Sequence, residues 1–338
     1  MKKKQLSRQQ LWRIQKMQDA HARRATSFDS HLDEMPAAGN GDQQQGIVIS
    51  NFGQQLDIEA LDGSRQGEVF RCFQRSNLDP LVTGDYVIWQ EGDPVGVVLA
   101  ALPRDNILER PSSFGELRPV AANIDQVVIV IAPIPEPFAN LVDRYLVAAE
   151  YYGISPLILL NKADLLDADN RDSLEALLDV YRGIGYPVVT ASCKTETGLM
   201  ELAGLLDDKT SVFVGQSGVG KSAIVNALLP EADLEVGQLS EAADKGRHTT
   251  TSARLYHFPG GGDLIDSPGI REFHLEHLDT DTLLHGFIEF RPYIGQCKFR
   301  DCRHDTEPGC KLKQAVESRA IHPDRMASYR AIARTLEQ

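Results

Sequence analysis

Residues 215–222 read Gly-Gln-Ser-Gly-Val-Gly-Lys-Ser, the G-x-x-x-x-G-K-S spacing of a loop that cradles phosphate. The motif works only between a strand and a helix, and the flanking sequence supplies both. Ser211-Val212-Phe213-Val214 is a short apolar run suited to a buried strand, and Ala223 to Leu229 reads as the start of a helix. Gly215, Gly218 and Gly220 let the backbone close around phosphate with N–H groups turned inward. The positive end of the helix dipole lies beneath them. Gln216, Ser217, Val219 and Ala223 complete the stretch expected to touch nucleotide. Lys221 is expected to reach the β- and γ-phosphate oxygens, and the Ser222 hydroxyl to bind Mg2+. A chain built around this loop must contain an α/β domain with a buried parallel sheet.

The chain in order is consistent with that demand. Residues 1–45 form a basic extension, with Leu6 to Arg24 readable as a short helix bearing Trp12 and Met17, and 36–46 as a flexible linker. Residues 46–105 change to short strands at Gly46–Ser50, Gln55–Ile58, Glu68–Cys72, Asp85–Trp89 and Gly96–Leu99, separated by Gly, Asp and Pro turns. This spacing fits a small β-barrel of the OB type. Arg71, Phe73 and Arg75 would suit a nucleic-acid face of such a barrel. They would equally suit an adaptor whose aromatic residues only pack. Residues 106–120, rich in Pro and Arg, read as a connector. Regular alternation then runs through 121–280. Strands are expected at Val127–Ile131, Pro156–Leu160 and Pro187–Thr190, with helices near 139–152, 172–182 and 198–206. Further strands follow at Ser252–Phe258 and Asp263–Ile265, and 281–338 reads helical around a compact Cys/His loop.

Three other stretches carry nucleotide chemistry. Asn161-Lys162-Ala163-Asp164 is N-K-x-D at a strand end. A carboxylate there accepts two hydrogen bonds from guanine N1–H and the 2-amino group, and adenine would leave it unpaired. Lys162 can lie along the base, and Ser192-Cys193-Lys194 can meet the base edge. Asp266-Ser267-Pro268-Gly269 is D-x-x-G, in which Asp266 would hold Mg2+ through water and the Gly269 N–H would bond the γ-phosphate. Thr249-Thr250-Thr251 offers the remaining metal ligand, or else only a β-branched strand start. Together these select GTP and GDP. They disfavour a P-loop kinase or transferase, which needs a catalytic base at an acceptor site.

Cys297-x4-Cys302-x-His304-x5-Cys310 supplies three thiolates and one imidazole within 14 residues, a closed set suited to one structural Zn2+ per chain. Lys298, Arg300, Arg303, Lys311 and Lys313 flank it.

Charge is unevenly placed. Residues 1–30 hold eight basic and two acidic side chains, and 291–338 hold ten and six, on a chain whose net charge is −13. Basic ends on an acidic body suit a polyanionic partner, although a solvated tail has the same composition. No apolar run is long enough to span a membrane, and the N-terminus lacks a secretory h-region. A cytoplasmic protein without membrane contact is therefore expected, and the chain is taken to be a monomer. Five cysteines in this length do not suggest a disulfide framework.

The order of motifs is unusual. N-K-x-D and Ser192-Cys193-Lys194 precede the P-loop, the threonines and D-x-x-G, as in a circularly permuted GTPase. With the barrel before them and the Cys/His module after them, residues 46–320 resemble the ribosome small subunit-dependent GTPase A family. That resemblance implies a multidomain fold of OB-type barrel, permuted P-loop GTPase domain and helical zinc-binding module. It implies GTP hydrolysis late in small-subunit maturation, stimulated by that subunit, with the subunit and its rRNA as partners. The alternative is a GTP-regulated RNA- or ribosome-binding module with little catalysis of its own. By analogy with similar switches, Thr250 is the threonine expected on Mg2+. The residue after D-x-x-G is Ile270 rather than a water-orienting Gln, so His248 becomes the candidate to orient water, unless it only packs the loop.

Overall fold

In the computed structural model, residues 42–111, 116–194, 196–229, 253–267 and 275–336 are described. The chain divides into two compact units, one gathering residues 1–124 with 248–257 and 263–269, the other 125–247 with 258–262 and 270–338.

In the first unit, β1 (Gln43–Asn51), β2 (Gln55–Ala60), β3 (Val69–Gln74), β4 (Tyr86–Gln90) and β5 (Gly96–Ala101) close a barrel in the order β1-β2-β3-β5-β4-β1. Only the β3–β5 pair is parallel. β1 serves two neighbours because it is long and carries a bulge between Val48 and Ser50, which bends it around the barrel. Alternate residues face inward, as in β2, where Leu56, Ile58 and Ala60 are buried. They meet Val48, Cys72, Leu81, Val87, Trp89 and Val98 in one core. The barrel thus matches the expected OB-type architecture.

The stretch expected to be a connector is instead a two-stranded hairpin, β6 (Ile107–Pro111) and β7 (Leu117–Ala122). Pro111 and Pro119 lie in it opposite Leu117 and Glu109. Both strands of an isolated ribbon are edges, so a missing N–H is tolerated there. The same unit contains β12 (Arg254–His257) and β13 (Asp263–Asp266), an antiparallel pair with Arg254 opposite Asp266. β12 adds to β1 of the barrel at Ser50↔Arg254.

The second unit is built on a parallel sheet, β10 (Val188–Thr190), β9 (Ser155–Leu160), β8 (Gln126–Ile131) and β11 (Thr210–Val214), in that spatial order. Every residue of β8 and β11 is buried, as befits strands covered on both faces. Helices α1 (Ala139–Tyr152), α2 (Arg171–Ile184), α3 (Glu196–Leu206) and α4 (Lys221–Leu228) connect or follow these strands. On α2, Leu174, Leu178 and Tyr181 make the buried stripe. The C-terminal helices α5 (Thr280–Gly286), α6 (Lys311–Glu317) and α7 (Pro323–Leu336) share a core with α1. Val147 and Ala148 of α1 pack there with Leu283, Phe287, Phe290, Tyr329 and Ile332. Residues 1–41, which include the proposed basic helix, lie outside the described residues.

Candidate nucleotide site and metal centre

The sheet delivers the phosphate loop where β11 ends. Gly215 has φ +139°, and a Cβ on it would run into the Val130 carbonyl of neighbouring β8. Gly220 has φ +96° and sits against the Asn161 amide, where a Cβ would again collide. Neither position accepts a larger residue without moving its neighbour. α4 begins at Lys221, directly after Gly220, which puts free helix N–H groups at the loop. The Lys221 ammonium donates to the Gly215 and Gln216 carbonyls at 2.6 and 2.7 Å. Val219 is buried, while Ser217, Gly218 and Ala223 face solvent.

N-K-x-D is bound to this loop by side chains. Asn161, itself buried, donates from Nδ2 to the Val219 carbonyl at 2.9 Å. Lys162 donates to the Gly218 carbonyl at 2.5 Å and the Ile134 carbonyl at 3.0 Å. It stands in the left-handed region with φ 56°, which turns the chain out of β9. Ala163 N–H donates to the Ala191 carbonyl at 3.2 Å, holding the Asp164 turn to the Ser192 segment. The Ser192 hydroxyl donates to Asp164 Oδ1 at 2.6 Å, and Lys194 reaches Oδ2 at 2.5 Å. Lys194, then Ser192, hold the Asp164 carboxyl below its ordinary range, so it is an anion ready to accept. Cys193 lies beside Asn161, its sulfur 3.9 Å from Oδ1. The residues expected to read guanine and those expected to hold phosphate therefore form one bonded cluster. The bracing roles of Asn161 and Lys162 depend on contacts 58 and 56 residues away in sequence.

Asp266 is the last residue of β13, and Ser267 after it is buried. His248, Thr249, Thr250, Thr251, Gly269 and Ile270 lie outside the described residues.

The Cys/His loop closes on itself. The ligand atoms of Cys297, Cys302, His304 and Cys310 all lie within 4.8 Å of one another. His304 Nδ1 is 3.4 Å from Cys310 Sγ and 3.6 Å from Cys297 Sγ, and these two sulfurs are 4.0 Å apart. Metal–sulfur bonds of about 2.3 Å in a tetrahedron require such separations. Burial holds the His304 imidazole below its ordinary pKa, which favours the neutral form that can ligate. The left-handed backbone at His304, φ 62°, turns the ring inward. Lys311 N–H donates to Cys297 Sγ at 3.3 Å, a contact that stabilises a thiolate. Arg330 on α7 donates to the His304 carbonyl at 2.8 Å. The sequence gives the four ligands but neither the ligating nitrogen nor this anchor.

A third cluster was invisible in the sequence. Arg325 of α7, 1% exposed, donates to Asp143 of α1 and to Glu289, at 2.6 and 3.1 Å in the latter pair. The Tyr181 hydroxyl also donates to Asp143, at 2.9 Å.

A family described as RsgA GTPase matches residues 101–276. A small ribosomal subunit biogenesis GTPase RsgA of Ectopseudomonas mendocina is 56% identical over 100% of this chain and 99% of its own length. The protein of that name from Hahella chejuensis is 54% identical over 100% of this chain and 98% of its own. Among solved structures, YjeQ from Thermotoga maritima superposes with TM-score 0.72 at 33% identity, covering 87% of this chain and 99% of that one. YloQ, described as a circularly permuted GTPase, superposes with TM-score 0.69 at 29% identity, covering 90% and 98%.

Proposed function

Because this chain belongs to the RsgA GTPase family, we propose that it hydrolyses GTP to GDP and phosphate late in the biogenesis of the small ribosomal subunit, and that the subunit stimulates it. The observation that carries this reading is the bonded cluster of Asn161, Lys162, Asp164, Ser192 and Lys194 with the phosphate loop. It joins guanine selection to phosphate binding in one body. Asp164 accepts from the base, with Lys162 along its face and Ala163, Ser192, Cys193 and Lys194 at its edge. The segment Gly215 to Ala223 wraps the phosphates. Lys221, already inside the loop on the Gly215 and Gln216 carbonyls, exchanges these for phosphate oxygens and offsets charge that develops in the transition state. Ser222, Thr250 and Asp266 serve the Mg2+ that accompanies GTP, and Gly269 the γ-phosphate. His248 orients the attacking water in place of the absent glutamine.

The Cys297, Cys302, His304 and Cys310 set suits one structural Zn2+. Its basic flank and the barrel are the surfaces for rRNA. Among the described residues no helix is long and apolar enough to cross a membrane, and a cytoplasmic monomer is the form we expect to act. Elemental analysis of protein purified without chelators is expected to return one zinc per chain, and Cys302→Ala to lose it. Zinc-free wild-type protein of full stability would remove the ion from this reading.

The deciding measurement is GTP turnover with and without purified small subunits, at low and high salt. Slow turnover that subunits accelerate, more strongly at low salt, is expected. Tight GTP-dependent association with no turnover under any condition would favour a regulatory binding module instead. His248→Ala under saturating subunits is expected to lose stimulated turnover while keeping GTP binding.

A further inference from the structure

We propose that metal and nucleotide binding are thermodynamically linked in this chain: α7 and α1 carry the state of the Cys/His loop to the phosphate loop, with Arg330 as the positioning residue that ties α7 to a metal ligand. This rests on the readings above in which the Cys/His loop holds Zn2+ and the segments within 161–223 hold GDP and GTP. Every residue involved lies in the second compact unit.

Helix α1 presents two stripes, each spaced by three and four residues. Asn140, Asp143, Arg144 and Val147 face the C-terminal module. Asn140 donates to the Ser328 hydroxyl oxygen at 3.2 Å, Asp143 accepts from Arg325, and Arg144 donates to the Thr335 hydroxyl at 3.0 Å, all three partners standing on α7. Val147 sits in the core that α1 shares with α7. The second stripe, Leu141, Val142 and Tyr145 with Phe138 at the N-cap, lines a crevice of about 200 Å3 together with Gly215 and Gln216 of the phosphate loop. Those two residues supply the carbonyls that hold Lys221. One helix therefore borders the metal module on one side and the phosphate loop on the other.

Helix α7 is built onto the metal ligands in turn. Arg330 donates to the His304 carbonyl at 2.8 and 3.2 Å and to the Asp305 carbonyl at 3.0 Å. The neighbouring Tyr329 ring stands edge-on to His304, with centroids 6.4 Å apart, and to Phe287 and Phe290 at 5.7 and 5.6 Å. Cys310 is 2% exposed and belongs to the same core as Val147. Without a metal nothing bonds the four ligands to one another, so the loop, the His304 carbonyl and the Arg330 anchor loosen together. α7 then loses its hold at that end, and α1 loses partners along its first stripe. The crevice beside the second stripe gives α1 room to shift toward Gly215 and Gln216, which a close-packed contact would deny it. Docked and undocked α1 are the two states, and metal and nucleotide both favour the docked one.

The experiment compares the full chain loaded with Zn2+ and the same chain stripped by a chelator selective for Zn2+ over Mg2+. Stripping is expected to weaken GDP affinity by about fivefold or more, the lower end of ordinary coupling between sites. Linkage is reciprocal, so saturating GDP should tighten Zn2+ retention against the same chelator by the same factor. Arg330→Met keeps the four ligands and should still hold one Zn2+, yet its GDP affinity should lie nearer the stripped wild-type value and change less on stripping. Arg330→Lys, which can still donate to a carbonyl, should recover part of that response. Equal GDP affinity with and without Zn2+ would overturn the proposal. Thermal stability lost in Arg330→Met with the linkage factor unmoved would mark Arg330 as merely structural and overturn its assignment. If stripping unfolds the whole chain, loaded Arg330→Met decides: weakened GDP binding with one Zn2+ retained supports the link, and unchanged binding overturns it. A purified chain that holds no zinc would sink the metal reading, and a loaded chain that binds no GDP the nucleotide reading, each taking the link with it. A loaded chain that binds GDP with an affinity indifferent to the metal sinks the link alone.

Discussion

Asp164 stands between two donors, with Ser192 on one oxygen and Lys194 on the other. They keep it ionised and aimed, so the identity of its two oxygens as acceptors decides the base. Asp164→Asn replaces one acceptor by a donor. Against guanine this leaves an amide donor facing another donor, with neither satisfied. Against xanthine, whose 2-oxo group accepts, the pattern is restored. The variant is expected to lose GTP affinity by about tenfold or more and to gain xanthine nucleotide binding, as measured by competition with labelled GDP. Undiminished preference for GTP would show that Asp164 does not read the base. This residue was legible because its motif is local: four consecutive letters at a strand end, beside a loop with its own spacing. Arg330 was not. Its partners His304 and Asp305 lie 26 and 25 residues away, and no local pattern announces an arginine that meets backbone carbonyls.

At the scale of elements, strands of the parallel sheet were legible from their apolar runs, Val127–Ile131 in β8 and Val212–Val214 in β11, and both strands are buried along their whole length. The β6–β7 hairpin was not, because its prolines read as loop and only its isolation as a ribbon makes them acceptable. Nor does sequence show that the metal-binding module shares its core with α1. That junction is sealed by Arg325, which meets Asp143 on α1 and Glu289 and lies 4.4 Å above the Phe287 ring. Burial pushes the Asp143 carboxyl up, against the pull of Arg325. Arg325→Met fills similar volume but leaves Asp143 and Glu289 without their cation. We expect it to cost about 3–5 kcal/mol in urea unfolding, the range for breaking a buried pair from one side. Adding Asp143→Leu should return part of that by removing one of the two stranded carboxylates, although Glu289 still lacks its cation and the Tyr181 hydroxyl loses its acceptor. If the double variant is no more stable than Arg325→Met, the stranded Asp143 charge is not the main cost.

For the whole molecule, charge placement is the property that secondary structure does not report. The chain is net −13, yet residues 1–30 carry eight basic and two acidic side chains. An acidic body is repelled by rRNA at long range, so attraction must come from its basic segments and fall as salt rises. Each Lys or Arg that neutralises a phosphate releases counterions and steepens the dependence of log K on log salt by roughly one unit. Removing residues 1–30 is therefore expected to weaken association with the small subunit at low salt and to flatten that slope. GTP binding without subunits should be unchanged, because every residue assigned to the nucleotide or its Mg2+ lies between 161 and 269. Sedimentation of the truncated chain with subunits across a salt series measures both quantities. An unchanged slope would assign the electrostatic contact to the barrel and to the basic flank of the metal centre. A slope reduced by only one or two units would mean that few of the eight cations meet phosphate.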